Sequence, residues 1–320
     1  MKTRKILSFI AIVLAAGALT LTGCKKKKET VTDPVETDTD VEQTSATDNA
    51  LSENAVGDIE SMGAEVSENT SLANYRPGDA NGVTLTEGVS AAPCATVTLA
   101  AKVVTVDFGA TGCLGTDGRT RTGKLIYDFS GSASGANFYR NPGFKMVVTS
   151  QNYVVDGNQV NIVNKTITNT TPSSIGPGKN PGTNLTWSIS ANINIVKANS
   201  AGTVTWTCNR TKELINTADT NCYKGQSTHI RWNLGWIKLS GSASGTNASN
   251  ETFTSTATNL ERHFDCSPDA AHPHRHPFIA GTITFTPGAR KTRTIDYGNG
   301  ACDMLATLTI NSKSYTFVMP

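Results

Sequence analysis

The chain has 320 residues, with 28 basic and 26 acidic side chains and a formal net charge of +2. No stretch holds the ~20 strongly apolar residues that a transmembrane helix needs. The near-neutral total conceals a division: residues 1–28 carry seven positive charges, 29–88 carry fourteen acidic side chains and one basic, and 89–320 carry twenty basic and twelve acidic.

The first element is a signal peptide over residues 1–23. Lys2, Arg4 and Lys5 make a positive start, and an apolar run follows from Ile6 to Leu21. Small residues then lead to Cys24, the order expected of a removable export signal. Leu21-Thr22-Gly23-Cys24 resembles the bacterial lipoprotein box, which implies cleavage before Cys24 and acyl chains on that cysteine. Each buried methylene contributes ~0.8 kcal/mol, so two or three chains hold a protein firmly. Lys25 to Lys28 can lie on anionic headgroups at ~1 kcal/mol each. These residues predict a bacterial envelope protein, lipid-anchored in the outer membrane in the favoured reading and the inner membrane in the alternative, facing periplasm or surface, with no nucleic-acid partner.

Residues 24–88 read as an acidic, disordered tether. From Glu29 to about Asn49 the chain is rich in Thr, Asp, Glu and Val and has no aromatic residue, so it lacks the apolar surface to offset its ordering entropy. Leu51, Val56, Ile59, Met62 and Val66 fall at mostly helical spacing, which allows one short amphipathic helix near 47–67.

From residue 89 to 320 the texture is β. Val104-Thr105-Val106-Asp107-Phe108, Leu185-Thr186-Trp187-Ser188-Ile189 and Ala306-Thr307-Leu308-Thr309-Ile310 alternate apolar and polar residues, one face buried and one wet. Asp156-Gly157 and Asn311-Ser312-Lys313 mark hairpin turns. The pattern predicts one all-β domain of about ten to twelve antiparallel strands, in a sandwich-like stack of two sheets.

Two segments echo each other. Thr105-Val106-Asp107-Phe108-Gly109 leads to Cys113, and Thr294-Ile295-Asp296-Tyr297-Gly298 leads to Cys302. No glycine-rich loop, paired lysine or catalytic loop accompanies Asp107-Phe108-Gly109, so a kinase reading fails. A strand end with the Asp capping a glycine turn fits instead. Ser130–Gly135 also recurs as Ser240–Gly245, which hints at related halves. With the lipobox, the acidic segment and Asp117-Gly118-Arg119-Thr120-Arg121-Thr122-Gly123, this pattern resembles uncharacterised envelope lipoproteins of Bacteroides-like and Flavobacterium-like bacteria. The resemblance implies an envelope lipoprotein and carries no established activity.

Beyond Cys24, six cysteines remain, and an exported domain can pair them in fifteen ways. The echo favours Cys94–Cys113 and Cys266–Cys302, which leaves Cys208–Cys222. Candidate chemistry is sparse. His272, His274 and His276 alternate along a loop and could share a metal, with His263, Asp265 and Asp269 near them in sequence. Trp187 and Trp206 alternate with polar residues and read as core. Trp232 and Trp236 are better placed to stack on sugar rings. Arg119, Arg121 and Lys124, and Arg290, Lys291 and Arg293, form basic clusters suited to an anionic partner. No hydrolase or nucleotide-binding motif occurs, and no cofactor is implied. The reading is a lipid-anchored binding or structural module for glycan or an envelope protein. An enzyme acting on envelope or extracellular polysaccharide, and an adhesion or assembly subunit, are the alternatives.

Overall fold

The computed structural model describes residues 39–68, 83–84, 89–175, 184–215, 235–272 and 274–319. One helix, α1 (Thr39–Glu68), precedes the strands. The strands are β1 (Val83–Thr84), β2 (Thr96–Ala100), β3 (Val103–Asp107), β4 (Cys113–Leu114), β5 (Thr120–Asp128), β6 (Lys145–Val155), β7 (Asn158–Asn169), β8 (Leu185–Val196), β9 (Thr203–Ile215), β10 (Trp236–Thr246), β11 (Thr252–His263), β12 (Ala280–Pro287), β13 (Arg293–Asn299), β14 (Leu305–Ile310) and β15 (Lys313–Val318).

The antiparallel all-β reading holds for the strands. They form one continuous open sheet in chain order, with only β4 off the path, paired to β5. No second sheet stacks on the first among the described residues. The helix takes the place of the opposing layer.

Period-two alternation explains the two faces. Along β8, Leu185, Trp187, Ile189, Ala191, Ile193 and Ile195 are all buried. The residues between them are polar and more exposed. Across β7 to β15 one outer row runs in register: Thr166, Ser190, Asn209, Ser242, Thr256, Thr284, Thr294, Thr309 and Ser314. β-branched and small polar side chains keep the strands extended while leaving this face wet. The sharp turns fall where the sequence places them. Asp156 and Gly157 both have positive φ, 49° and 78°, and Val155 pairs with Asn158, the geometry of a two-residue hairpin.

The acidic segment is the main departure from the sequence reading. Residues 39–68 are not tether but a 30-residue helix without a basic side chain in its last turn, within the compact unit Asp38–Pro320. Its apolar side behaves as read, with Val56, Ile59, Met62 and Val66 buried. Yet Ser45, Asp48, Asn49, Ser52, Glu53 and Glu60 are buried as well. Composition alone suggests too little apolar surface to order this stretch. The compensation comes from cations on strands far away in sequence. Cys24 and the rest of the reading for residues 1–38 lie outside the described residues.

Candidate functional site

The helix meets the sheet through ion pairs. Asp48 pairs with Lys197 at 2.5 Å and Asp58 with Arg121 at 2.9 Å and Arg119 at 3.5 Å. Glu53 pairs with Arg210, and Glu68 with Arg140. At the centre, Glu60 Oε1 accepts from Lys212 Nζ at 3.0 Å and from the Tyr139 hydroxyl at 2.7 Å. Lys165 Nζ stands 3.8 Å from the other oxygen of Glu60. Lys212 Nζ also lies 5.1 Å and 5.5 Å from the ring centres of Tyr139 and Trp187, which themselves stack at 4.8 Å. Burial alone would raise the Glu60 pKa, but Lys212 and Lys165 hold it below the ordinary value. A buried charge persists only with such partners.

One stripe of the helix is left open. Thr47, Leu51, Asn54, Asp58, Ser61, Glu65 and Glu68 are exposed or half-buried, and they recur at steps of four and three, one side of a helix. Over the lower part of this stripe lies a cleft of about 540 Å³, floored by Asn54, Asp58, Ser61, Met62, Glu65 and Glu68. Small-molecule sites typically enclose ~300–1,000 Å³.

The walls come from the two ends of the sheet. Ser90, Ala91, Asp117 and Arg119 form one; Phe264, His274 to Pro277, Met304 and Met319 form the other, with Lys212 and Arg262 also reaching the cleft. Each wall is braced. Ser90 N donates to Glu65 Oε1 at 2.9 Å, and Thr116 N to the Ala91 carbonyl at 3.0 Å. Met319 N donates to the Met304 carbonyl at 2.9 Å. A disulfide stands behind each wall: Cys94–Cys113, with Cα atoms 5.6 Å apart, and Cys266–Cys302, 5.5 Å apart. The sequence echo therefore marks the two sides of one cleft. It extends to the turns, since Gly109 N donates to Asp107 Oδ1 at 2.9 Å and Gly298 N to Asp296 Oδ1 at 2.8 Å. The Ser-Gly repeat does not extend it: Ser130–Gly135 is loop, whereas Ser240–Gly245 lies in β10.

The carboxylates around the cleft are engaged: Asp58 and Asp117 by Arg121, Glu65 by Ser90, Glu68 by Arg140. Burial would raise the Asp117 pKa, but Arg121 holds it low. Arg262 is different. Its guanidinium lies 4.4 Å over the Phe278 ring, and its Nε is enclosed without an acceptor. Burial, aided by repulsion from Arg119, pushes its pKa down to about 10. Alternation along β11 would aim Arg262 outward. A bulge at Thr258–Glu261, with Asn259 at φ 48°, reverses the parity. Phe253, Ser255 and Ala257 face in before the bulge and Leu260 after it, and Arg262 follows Leu260 by two. That break in the alternation of Thr252–Thr258 was the available signal.

Other sequence candidates are placed differently from their reading. Arg121 is fully buried, so it is a structural ion-pair partner rather than a surface cation. Burial alone would lower its pKa, but Asp117 and Asp58 hold it above the usual arginine value. Arg293 is also buried, and Arg290 pairs with Glu251. Only half-buried Arg119 of the first cluster reaches the cleft. The three histidines do not converge. His272 Nδ1 bonds Asp269, His276 Nδ1 faces the Cys266 carbonyl at 2.8 Å, and His274 is exposed at the rim. Among the described residues no group of three or more His, Cys, Asp or Glu side chains could hold a metal. Trp187 and Trp206 are core, as read. Trp236 stacks on His263 at 4.0 Å, which occupies one face of the ring proposed for sugar. Trp232 and Cys222 lie outside the described residues. Cys208 is a free thiol facing the interior, not a disulfide partner, and burial pushes its pKa up to about 12.

Comparison with protein-family models, with curated proteins and with solved structures finds no match.

Proposed function

We propose that this chain is a lipid-anchored envelope binding module, held through Cys24, whose ligand site is the helix-floored cleft. The observation that carries the reading is a cleft of about 540 Å³ with a largely polar floor, a wall that includes Phe264, Pro277, Met304 and Met319, and an arginine, Arg262, whose Nε lacks an acceptor. Enclosed, mostly apolar pockets with a few convergent polar groups are the usual form of small-molecule sites. Only fourteen residues, 25–38, separate Cys24 from α1, a reach of at most ~50 Å at ~3.5 Å per residue.

The test has two arms. Cys24→Ser moves the protein from the membrane fraction to the soluble one if lipid is the anchor. Native mass spectrometry of protein recovered from its own envelope then shows a small non-peptide mass. Ser61→Trp, which fills the exposed floor of the cleft, removes that mass while leaving the thermal transition in place. A bound mass indifferent to Ser61→Trp, or none in the parent protein, refutes the cleft as a ligand site.

A further inference from the structure

Resting on the cleft as a ligand site, we propose that Arg262 binds the carboxylate of a singly charged amphiphile, whose hydrocarbon portion lies against Phe264, Pro277, Met304 and Met319. Three observations converge on this chemistry. First, Arg262 is a half-buried cation of the site whose Nε is enclosed without an acceptor, whereas Arg119 and Lys212 already face Asp58 and Glu60. A planar guanidinium matches a carboxylate as a two-point fork.

Second, the charge at the cleft suits one negative charge and not two. Arg119, Lys212, Arg262 and Arg275 are matched in number by Asp58, Glu65, Glu68 and Asp117. A phosphate dianion would add a second negative charge near Glu65, whose partner Ser90 is neutral. A carboxylate at Arg262 meets one unpartnered cation, with Arg275 at the rim.

Third, beside His274, Arg275 and His276 this wall offers a run of apolar, partly unbranched side chains. Met304 and Met319 are joined through the backbone, with Phe264 and Pro277 beside them. Unbranched thioether chains adapt to a flexible hydrocarbon tail better than branched ones do. A Cβ built at Gly57 would lie 3.5 Å from Arg262 Nη1, an ordinary contact that places the guanidinium beside α1.

The experiment uses the soluble Cys24→Ser chain and three probes of one tail length: dodecanoate, dodecanol and dodecyl phosphate. Isothermal calorimetry is expected to rank dodecanoate at least tenfold tighter than either of the others. Arg262→Met should abolish the preference over dodecanol while leaving dodecanol binding unchanged, and Arg262→Lys should restore part of it. Thermal melts confirm that both variants fold. Equal affinity for dodecanoate and dodecanol, a preference that survives Arg262→Met, or tighter binding of dodecyl phosphate overturns the proposal. So does the absence of binding by all three. In each of those outcomes a Ser61→Trp-sensitive mass from the envelope still upholds the cleft as a ligand site, so the two readings fail separately.

Discussion

At the residue scale the interior is held by charges, and Glu60 is the centre of them. It faces Lys212, Lys165 and the Tyr139 hydroxyl, all buried. Glu60→Gln keeps the shape and removes the charge, leaving two buried ammonium groups without a counter-ion. Breaking a buried pair from one side costs ~3–5 kcal/mol, so chemical denaturation of this variant should show a loss of that order. Surface pairs offer a contrast: Lys238–Glu261, at 3.9 Å and well exposed, should change stability by ~1 kcal/mol or less. The pH dependence follows from the same geometry. Glu60 and Asp117 have folded pKa values below their ordinary 4.5 and 3.8. Their contribution is present above those ordinary values and is lost as pH falls through the folded ones. Melting temperature against pH should therefore drop on the acid side of about 4, and Glu60→Gln should flatten part of that drop. A variant with an unchanged acid limb would show that Glu60 is not the group titrating. None of this pairing is legible from sequence. Glu60 and Lys212 are 152 positions apart, and the eight acids of residues 39–68 read by composition as a solvated run. Residue types with local rules were legible: Trp187 and Trp206 by alternation, and the Asp107 and Asp296 caps by their glycines.

At the scale of elements, two glycines in α1 separate propensity from packing. Both sit mid-helix, where glycine costs ~1 kcal/mol relative to alanine. At Gly63 the sheet comes too close for any side chain: a Cβ would lie 2.6 Å from Tyr127 Cε1 and 2.7 Å from Met146 Sδ. The tyrosine cannot easily yield, because its hydroxyl donates to the Ile59 carbonyl at 2.9 Å. Gly63→Ala should destabilise by ~1–3 kcal/mol, the usual cost of overpacking. At Gly57 the nearest atom is the far end of Arg262, 3.5 Å away, an ordinary contact. Gly57→Ala should be neutral or stabilise by up to ~1 kcal/mol. Equal effects at the two positions would contradict the close approach of α1 to β5 and β6 at Gly63. The existence of a helix near 47–67 was visible in the spacing of Val56, Ile59, Met62 and Val66. Its start at Thr39 was not, since only tertiary ion pairs make those polar turns worth ordering. The strands were legible one by one, while β-bulges, as at Asn259 on β11, reversed which side chains face in. That reversal hides Arg262 from an alternation argument, whereas Arg121 shares the parity of buried Leu125 and Tyr127 on β5 and reads as solvated only because of its charge.

At the scale of the molecule, the charge division of the sequence becomes an inside arrangement. An acidic helix packs on a basic sheet, and five of its carboxylates face seven cations: Arg119, Arg121, Arg140, Lys165, Lys197, Arg210 and Lys212. Among the described residues the sheet has no second layer of strands to cover Trp187, Trp206 and Tyr139. A chain of residues 89–320, the domain that composition alone marks out, would strip those cations of their helix partners, with only Arg121 keeping a carboxylate, Asp117, and would leave that apolar surface wet. We expect it to lack a cooperative thermal transition and to bind a hydrophobic dye such as ANS. A synthetic peptide of residues 39–68 added in trans should restore the transition in proportion to its concentration, since a ligand of the folded state stabilises by mass action. A peptide with Glu53, Asp58 and Glu60 changed to the corresponding amides should restore much less, which separates charge pairing from plain coverage of apolar surface. A fully cooperative transition in residues 89–320 alone would mean the sheet folds independently and the helix is an addition to it. Rescue by the amide peptide equal to that by the parent would mean that shape, not charge, seats the helix. Either result would move the floor of the cleft from an integral part of the fold to a removable one.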